Sequence, residues 1–232
     1  MRQAWLIGMG LVSALASQSV VASEPSIEGT VTIRDRQGRP KPTHEGAVVF
    51  LDEIEHPAPA TAPTVHAVMR QINKQFVPEV LPILVGTTVE FPNDDTIYHN
   101  VFSLSRVRPF DLGIYAQGVS QPVTFDQPGL VKIYCNIHSQ MVGYILVLSH
   151  PYFAVTDRRG AFRLADAPLG KATIRVWYAK TRQQLQQSVQ VTPQGIQNLD
   201  LTVMETVRFE IQEETLSLEH PNKFGESYPA KY

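Results

Sequence analysis

The sequence predicts an all-β protein with a many-stranded β-sandwich in the middle of the chain. Short segments rich in Val, Ile, Thr and Phe are separated by Gly, Pro and Asp, and no long run repeats with the helical period. These segments are densest in the middle of the chain, the pattern of a many-stranded sandwich. With 232 residues, 43% hydrophobic and 18% charged, the chain suits one large or two small domains. A formal net charge of −2 with no basic stripe argues against nucleic acid as the main partner.

The N-terminus reads as an export signal over residues 1–22. Arg2 precedes an apolar stretch from Ala4 to Ala16, and no further charge occurs before Glu24. Val20-Val21-Ala22 offers a small-residue cleavage site, and Ala14-Leu15-Ala16 an earlier one. An uncleaved membrane anchor is the other reading, but Ser13, Ser17, Gln18 and Ser19 make the segment polar for a span. Cleavage leaves a periplasmic protein with no membrane span. In that oxidising space the single cysteine, Cys135, has no intramolecular disulfide partner, so it must be buried or committed to a metal.

After the signal, Ile27–Ile33 alternates as a half-buried strand. Asp35–Pro40 is turn chemistry, and Ala47–Leu51 is a second strand. A Pro/Ala-rich stretch from His56 to Pro63 then reads as a linker or crossover. The middle block, 64–149, carries predicted strands at Val65–Ile72, Val80–Leu84, Thr87–Phe91, His99–Ser103, Pro122–Phe125, Leu130–Cys135 and Tyr144–Leu148. A third block follows with Phe153–Thr156, the turn Asp157–Gly160, and strands at Ala161–Leu164, Ala172–Trp177, Gln186–Val191 and Asn198–Val203. From 205 to 232 the chain turns polar and Glu-rich, which predicts a loosely ordered tail.

Gly29-x-Val31, the Asp35…Gly38-x-Pro40 turn and Ala47-x-Val49 resemble the opening strands of the carboxypeptidase regulatory-like β-sandwich. Thr156-Asp157-x-x-Gly160-x-Phe162 and Pro168-x-Gly170 resemble its continuation. In that family these halves are contiguous. The resemblance therefore implies a discontinuous module, 27–58 plus 151–204, with the middle block inserted. Two sequential domains meeting near His150 are the alternative. Asp157 and Asp166 read as turn formers, with calcium at such turns the less favoured option.

The chemistry lies in the middle block. Val131, Ile133 and Cys135 share one face of an alternating strand, and the chain continues Asn136-Ile137-His138-Ser139-Gln140-Met141. Upstream, His99 opens another strand. Thiolate, imidazole and thioether together form a soft, mixed donor set. Such a set suits copper in both oxidation states, and with all four donors bound no position is left for a substrate.

Phe125-Asp126-Gln127-Pro128-Gly129 and Tyr134-Cys135-Asn136-Ile137-His138-x-x-Met141-x-Gly143-x-Ile145-x-Val147 resemble the plastocyanin/azurin (cupredoxin) superfamily. The Cys-x-x-His-x-x-Met loop is closest to that of amicyanin. Phe76-x-Pro78 and Val85-Gly86-x-x-Val89-x-Phe91-x-Asn93 resemble the family's early strands. The likeness spans about Thr64 to Ser149. It implies a Greek-key β-sandwich with one type 1 (blue) copper bound by His99, Cys135, His138 and Met141, with Met141 axial. It implies an exported one-electron carrier, not an enzyme, serving a protein redox partner that no motif identifies. Asn100 matches a family residue that braces the ligand loop. Ser139 stands where family loops often have Pro, and Gln140 leaves Ile137 and Val142 as the apparent apolar rim.

Plainer readings exist for each residue. A lone Cys is usually a small hydrophobe, and His44, His56, His66, His150 and His220 read as non-ligands. His66 is the one rival, because it lies inside the middle block. Met69 reads as packing, and Tyr134 and Trp177 as core or rim aromatics. Structural zinc sites use no thioether. A Cys135–His138 nucleophilic pair would need an oxyanion hole and cleft that nothing in the sequence suggests. Copper binding and delivery, or an envelope adaptor carrying an accessory copper site, are the alternative functions.

Overall fold

The structure, a computed structural model, describes residues 24–57, 66–182 and 184–206. The signal segment, most of the Pro/Ala-rich crossover and nearly all of the polar tail lie outside the described residues.

Among the described residues every regular element is a strand. The first pair is β1 (Ile27–Arg34) and β2 (Val48–Asp52). The middle block holds β3 (Ala67–Val68), β4 (Arg70–Ile72), β5 (Gln75–Val77), β6 (Val80–Leu84), β7 (Thr87–Glu90) and β8 (His99–Ser103). It continues with β9 (Phe110–Tyr115), β10 (Pro122–Phe125), β11 (Gly129–Tyr134) and β12 (Val142–Leu148). Last come β13 (Phe153–Val155), β14 (Ala161–Leu164), β15 (Gly170–Trp177), β16 (Leu185–Val191) and β17 (Ile196–Met204).

Strands from both ends of the chain share two sheets, ordered β14-β1-β17 and β13-β2-β15-β16. Ile27, Val31, Val49, Leu51, Ile174 and Val176 fill the space between them. β1 runs parallel to β17, with a register shift between Ile27 and Gly29. A Cβ at Gly29 would meet the Leu199 carbonyl oxygen at 2.0 Å, so only glycine permits this approach. β2 pairs directly with β13, Phe50 opposite Phe153. The chain thus leaves this sandwich from one strand and resumes it on the neighbouring one.

The middle block is a second sandwich, β6-β12-β11-β8-β9 facing β10-β7-β3, with the hairpin β4-β5 beside it. Phe91, Phe125, Val131, Ile133 and Ile145 form its core. The predicted strand Val65–Ile72 is broken at Met69: β3 pairs with β7, whereas β4 pairs with β5. Met69 itself is fully buried, as packing. The sequence reading met β5 only through the resemblance carried by Phe76-x-Pro78, and passed over β9. β9 carries Gly113 and charged Asp111, and its pairing comes from β8, His99 opposite Tyr115.

A third apolar cluster joins the two sandwiches. Val48, Phe50 and Trp177 meet Leu146 and Leu148, with Tyr144 packed against them. The Tyr144 and Trp177 rings lie 5.3 Å apart. Period-2 alternation explains the arrangement. Val49 and Leu51 point into one core while Val48 and Phe50 point into the joint; Ile145 and Val147 do the same opposite Leu146 and Leu148. Apolar runs such as Val48-Val49-Phe50-Leu51 are the mark of strands covered on both faces.

Candidate metal centre

The site begins with the strand that delivers Cys135. Gly129 opens β11 at φ 139°, and a Cβ there would meet Val107 Cγ2 at 2.7 Å. From it the alternation buries Val131 and Ile133 and leaves Cys135, one residue past the strand, 4% exposed. β12 pairs back antiparallel, with Tyr134 opposite Val142. Residues 135–141 therefore close a short loop between adjacent strands. The Met141 amide donates to the His138 carbonyl at 2.9 Å, tightening that loop. The Asn136 amide donates to Asn100 Oδ1 at 3.3 Å, tying it to β8.

His99 opens β8 and is 0% exposed. Its Nδ1 lies 3.9 Å from Cys135 Sγ. His138 Nδ1 is also 3.9 Å from Sγ and 3.2 Å from His99 Nδ1. All three donor atoms fall within 4.8 Å of one another. One ion at about 2.3 Å from a thiolate and about 2.1 Å from an imidazole limits their separation to about 4.4 Å. The observed spacings fit that limit. The two rings meet edge to face at 62°, so their nitrogens converge without stacking.

His138 is half-buried. Burial, then the neighbouring His99 and Lys74, hold its imidazole below the ordinary range. A neutral ring is the form that ligates a metal. Met141 is 1% exposed and shares the buried cluster of Cys135, just ahead of β12. The structure thus groups the donors of His99, Cys135 and His138, and places Met141 on the same loop and in the same core. His66 is exposed, 3.6 Å from Glu90, and is not a member of the group.

Further polar groups hydrogen-bond around these residues, and Asp95, Gln71 and Tyr115 among them were not singled out from the sequence. His99 Nε2 lies 2.7 Å from Asp95 Oδ2. Burial opposes charge on Asp95, but the Lys74 amide, the His99 ring and the Asn73 amide hold its carboxyl below the usual range. Asn93, fully buried, donates to the carbonyls of Ile97 and Tyr115 at 2.9 and 3.1 Å. Gln71 and the Tyr115 hydroxyl both donate to the Phe91 carbonyl. Asn100 also donates to Asp111 Oδ1 at 2.7 Å, joining β8 to β9. Only the Asp-Asp pair four residues ahead of His99 could have hinted at Asp95.

The apolar rim differs from the expected one. Ile137 is exposed, but Val142 is half-buried within β12. Exposed Ile97 and Tyr98 directly precede His99 in the chain, and exposed Ile114 is paired opposite Asn100.

No protein-family model matches the chain, and no curated protein matches it by sequence. Among solved structures, a purple cupredoxin from Nitrosopumilus maritimus is 28% identical, covering 35% of this chain and 99% of its own, with a TM-score of 0.33. A copper-containing nitrite reductase from Thermus scotoductus SA-01 is 29% identical over 40% of this chain and 25% of its own, with a TM-score of 0.36. A reduced amicyanin variant is 22% identical over 43% of this chain and 98% of its own, with a TM-score of 0.35. Part of this all-β chain is thus similar to cupredoxins.

Proposed function

We propose that this protein is an exported type 1 copper protein that carries single electrons, with its cupredoxin-like block inserted in a second β-sandwich. One observation carries the reading: a buried cysteine sulfur with two imidazole nitrogens, each 3.9 Å away, brought together from a loop and a separate strand. His99, Cys135 and His138 would hold the copper, and the Met141 thioether would add a weak fourth donor. Copper so bound supplies a one-electron couple whose two oxidation states tolerate the same donors.

The chain's own residues do the rest. Cys135, inside the apolar cluster, keeps its sulfur away from water and oxidants. His99, buried and hydrogen-bonded at its far nitrogen, keeps one donor fixed. His138, half-buried on the loop beside exposed Ile137, offers the edge through which a protein redox partner would exchange electrons. The role is carriage rather than turnover, since four donors leave no position for a substrate.

Copper(II) added to the purified protein is expected to produce an intense visible thiolate-to-copper band. Ascorbate should bleach it, and Cys135→Ala should abolish it. Tight copper binding without colour would overturn the carrier reading in favour of delivery. Met141→Gln should keep the colour and shift the potential; an unchanged potential would remove Met141 from the donor set.

A further inference from the structure

His99 presents one ring nitrogen to the donor group and the other to a carboxylate. Nδ1 faces Cys135 and His138, so the proton belongs on Nε2, which lies 2.7 Å from Asp95 Oδ2. The His99 side chain is 0% exposed and that of Asp95 13%, so little water competes for this bond.

Asp95 is itself held from several sides. Its Oδ1 accepts the Asn73 amide at 2.6 Å, and its Oδ2 accepts the Lys74 amide at 2.9 Å. Asn73 and Lys74 are the two turn residues between β4 and β5, with φ of 53° and 55°. Left-handed conformation at both centres is what a two-residue hairpin turn demands. From the other side, the Asp95 amide donates to Oδ1 of the buried Asn93 at 3.0 Å. The hairpin and the 93–97 loop therefore fix the carboxylate against His99, although neither contributes a donor to the metal group.

A neutral acceptor could orient the ring equally well. A carboxylate does more, because an anion on the distal N–H makes the imidazole a stronger donor. Stronger donation favours the more highly charged oxidation state of a bound metal.

We infer that Asp95 is a positioning residue for His99 and that its charge lowers the reduction potential of the bound copper. This rests on the copper reading above. Replacing the carboxylate by its neutral isostere removes the charge and leaves one oxygen to accept from Nε2–H.

The test is spectroelectrochemical titration of copper-loaded wild type, Asp95→Asn and Asp95→Glu. Asp95→Asn should keep the visible band but lose about tenfold in its preference for copper(II) over copper(I), a rise of about 59 mV for one electron. Asp95→Glu, which keeps the charge, should lie closer to wild type. A folded, coloured Asp95→Asn with less than a twofold change in that preference would overturn the inference.

A second readout needs neither copper nor a folded variant. In the zinc-loaded wild type, the Nε2 proton of His99 should appear downfield in the NMR spectrum and exchange slowly with solvent. Rapid exchange would overturn the inference. A wild type without the visible band but with that slow proton would sink the electron-carrier reading and leave Asp95's positioning role standing.

Discussion

The two sandwiches are built from the same element but filled differently. Between β14-β1-β17 and β13-β2-β15-β16 the interior is largely aliphatic and aromatic, with Ile27, Val31, Leu51 and Ile174 among its side chains, and this sandwich's buried polar side chains are the small hydroxyls of Ser26, Thr156 and Thr173. The middle block buries Gln71, Asn93, His99 and Asn100 as well, at 2% exposure or less. Each of these four has at least one hydrogen-bond partner. Apolar packing is tolerant of which side chain fills the space, whereas buried polar groups are expensive unless placed with their partners. The first sandwich can therefore serve as scaffold; in the second, packing and site geometry are one problem.

The largest expected effect tests whether the two are separable. Trp177→Ala should lower stability by about 3–5 kcal/mol, because it empties the joint between them. Unfolding in denaturant, followed by visible absorbance and by far-UV circular dichroism, should give one shared transition. Two separate transitions would show that the joint does not couple the sandwiches. An isolated 64–149 segment would bare Leu146 and Leu148 and is expected to aggregate; a soluble, coloured monomer would contradict that.

A matched pair sharpens the contrast in buried polarity. Asn93→Ala leaves the Ile97 and Tyr115 carbonyls and the Asp95 amide without their partner, and should cost about 1–3 kcal/mol. It should also disturb the visible spectrum, because the 93–97 loop carries Asp95. Thr156→Val in the other sandwich strands the Ala47 amide and the His44 carbonyl, and should cost about 1–2 kcal/mol. The spectrum of this variant should match wild type. Equal spectral effects would erase the distinction between scaffold and site.

The smallest effect concerns acid. The Ala161 amide, with the Arg159 amide, holds the Asp157 carboxyl below its ordinary range, and the Arg39 amide does the same for Asp35. A carboxyl depressed in the folded state contributes stability above its unfolded pKa, about 3.9, that is lost as pH falls through the folded value. Stability should thus decline below about pH 4. Asp157→Asn keeps an oxygen for the turn and should show a shallower decline. An identical acid profile would mean the turn carboxylate contributes nothing.

Much of this organisation was legible because spacing carries it. Cys135, His138 and Met141 sit on one loop, and the alternation of Val131, Ile133 and Cys135 already pointed the cysteine into the core. The Asp-x-x-Gly turns marked where β1 ends and where the chain passes from β13 in one sheet to β14 in the other. β9 was not legible, since Pro109, Asp111 and Gly113 weaken local strand preference and its partner β8 supplies the order. Asp95 was hidden for a related reason: its role depends on a turn more than twenty residues away. The joint was written in plain view as the runs Val48–Leu51 and Ile145–Leu148, yet such runs do not say which surface covers the second face.

The side-by-side placement of β2 and β13 has a consequence for engineering. A chain that departs and returns on neighbouring strands, about 4.8 Å apart, offers a socket for another domain with closely spaced ends. The socket has an apolar floor, however. Val48, Phe50 and Trp177 need a replacement that brings its own greasy sheet face, so graft acceptance should follow surface complementarity rather than linker length.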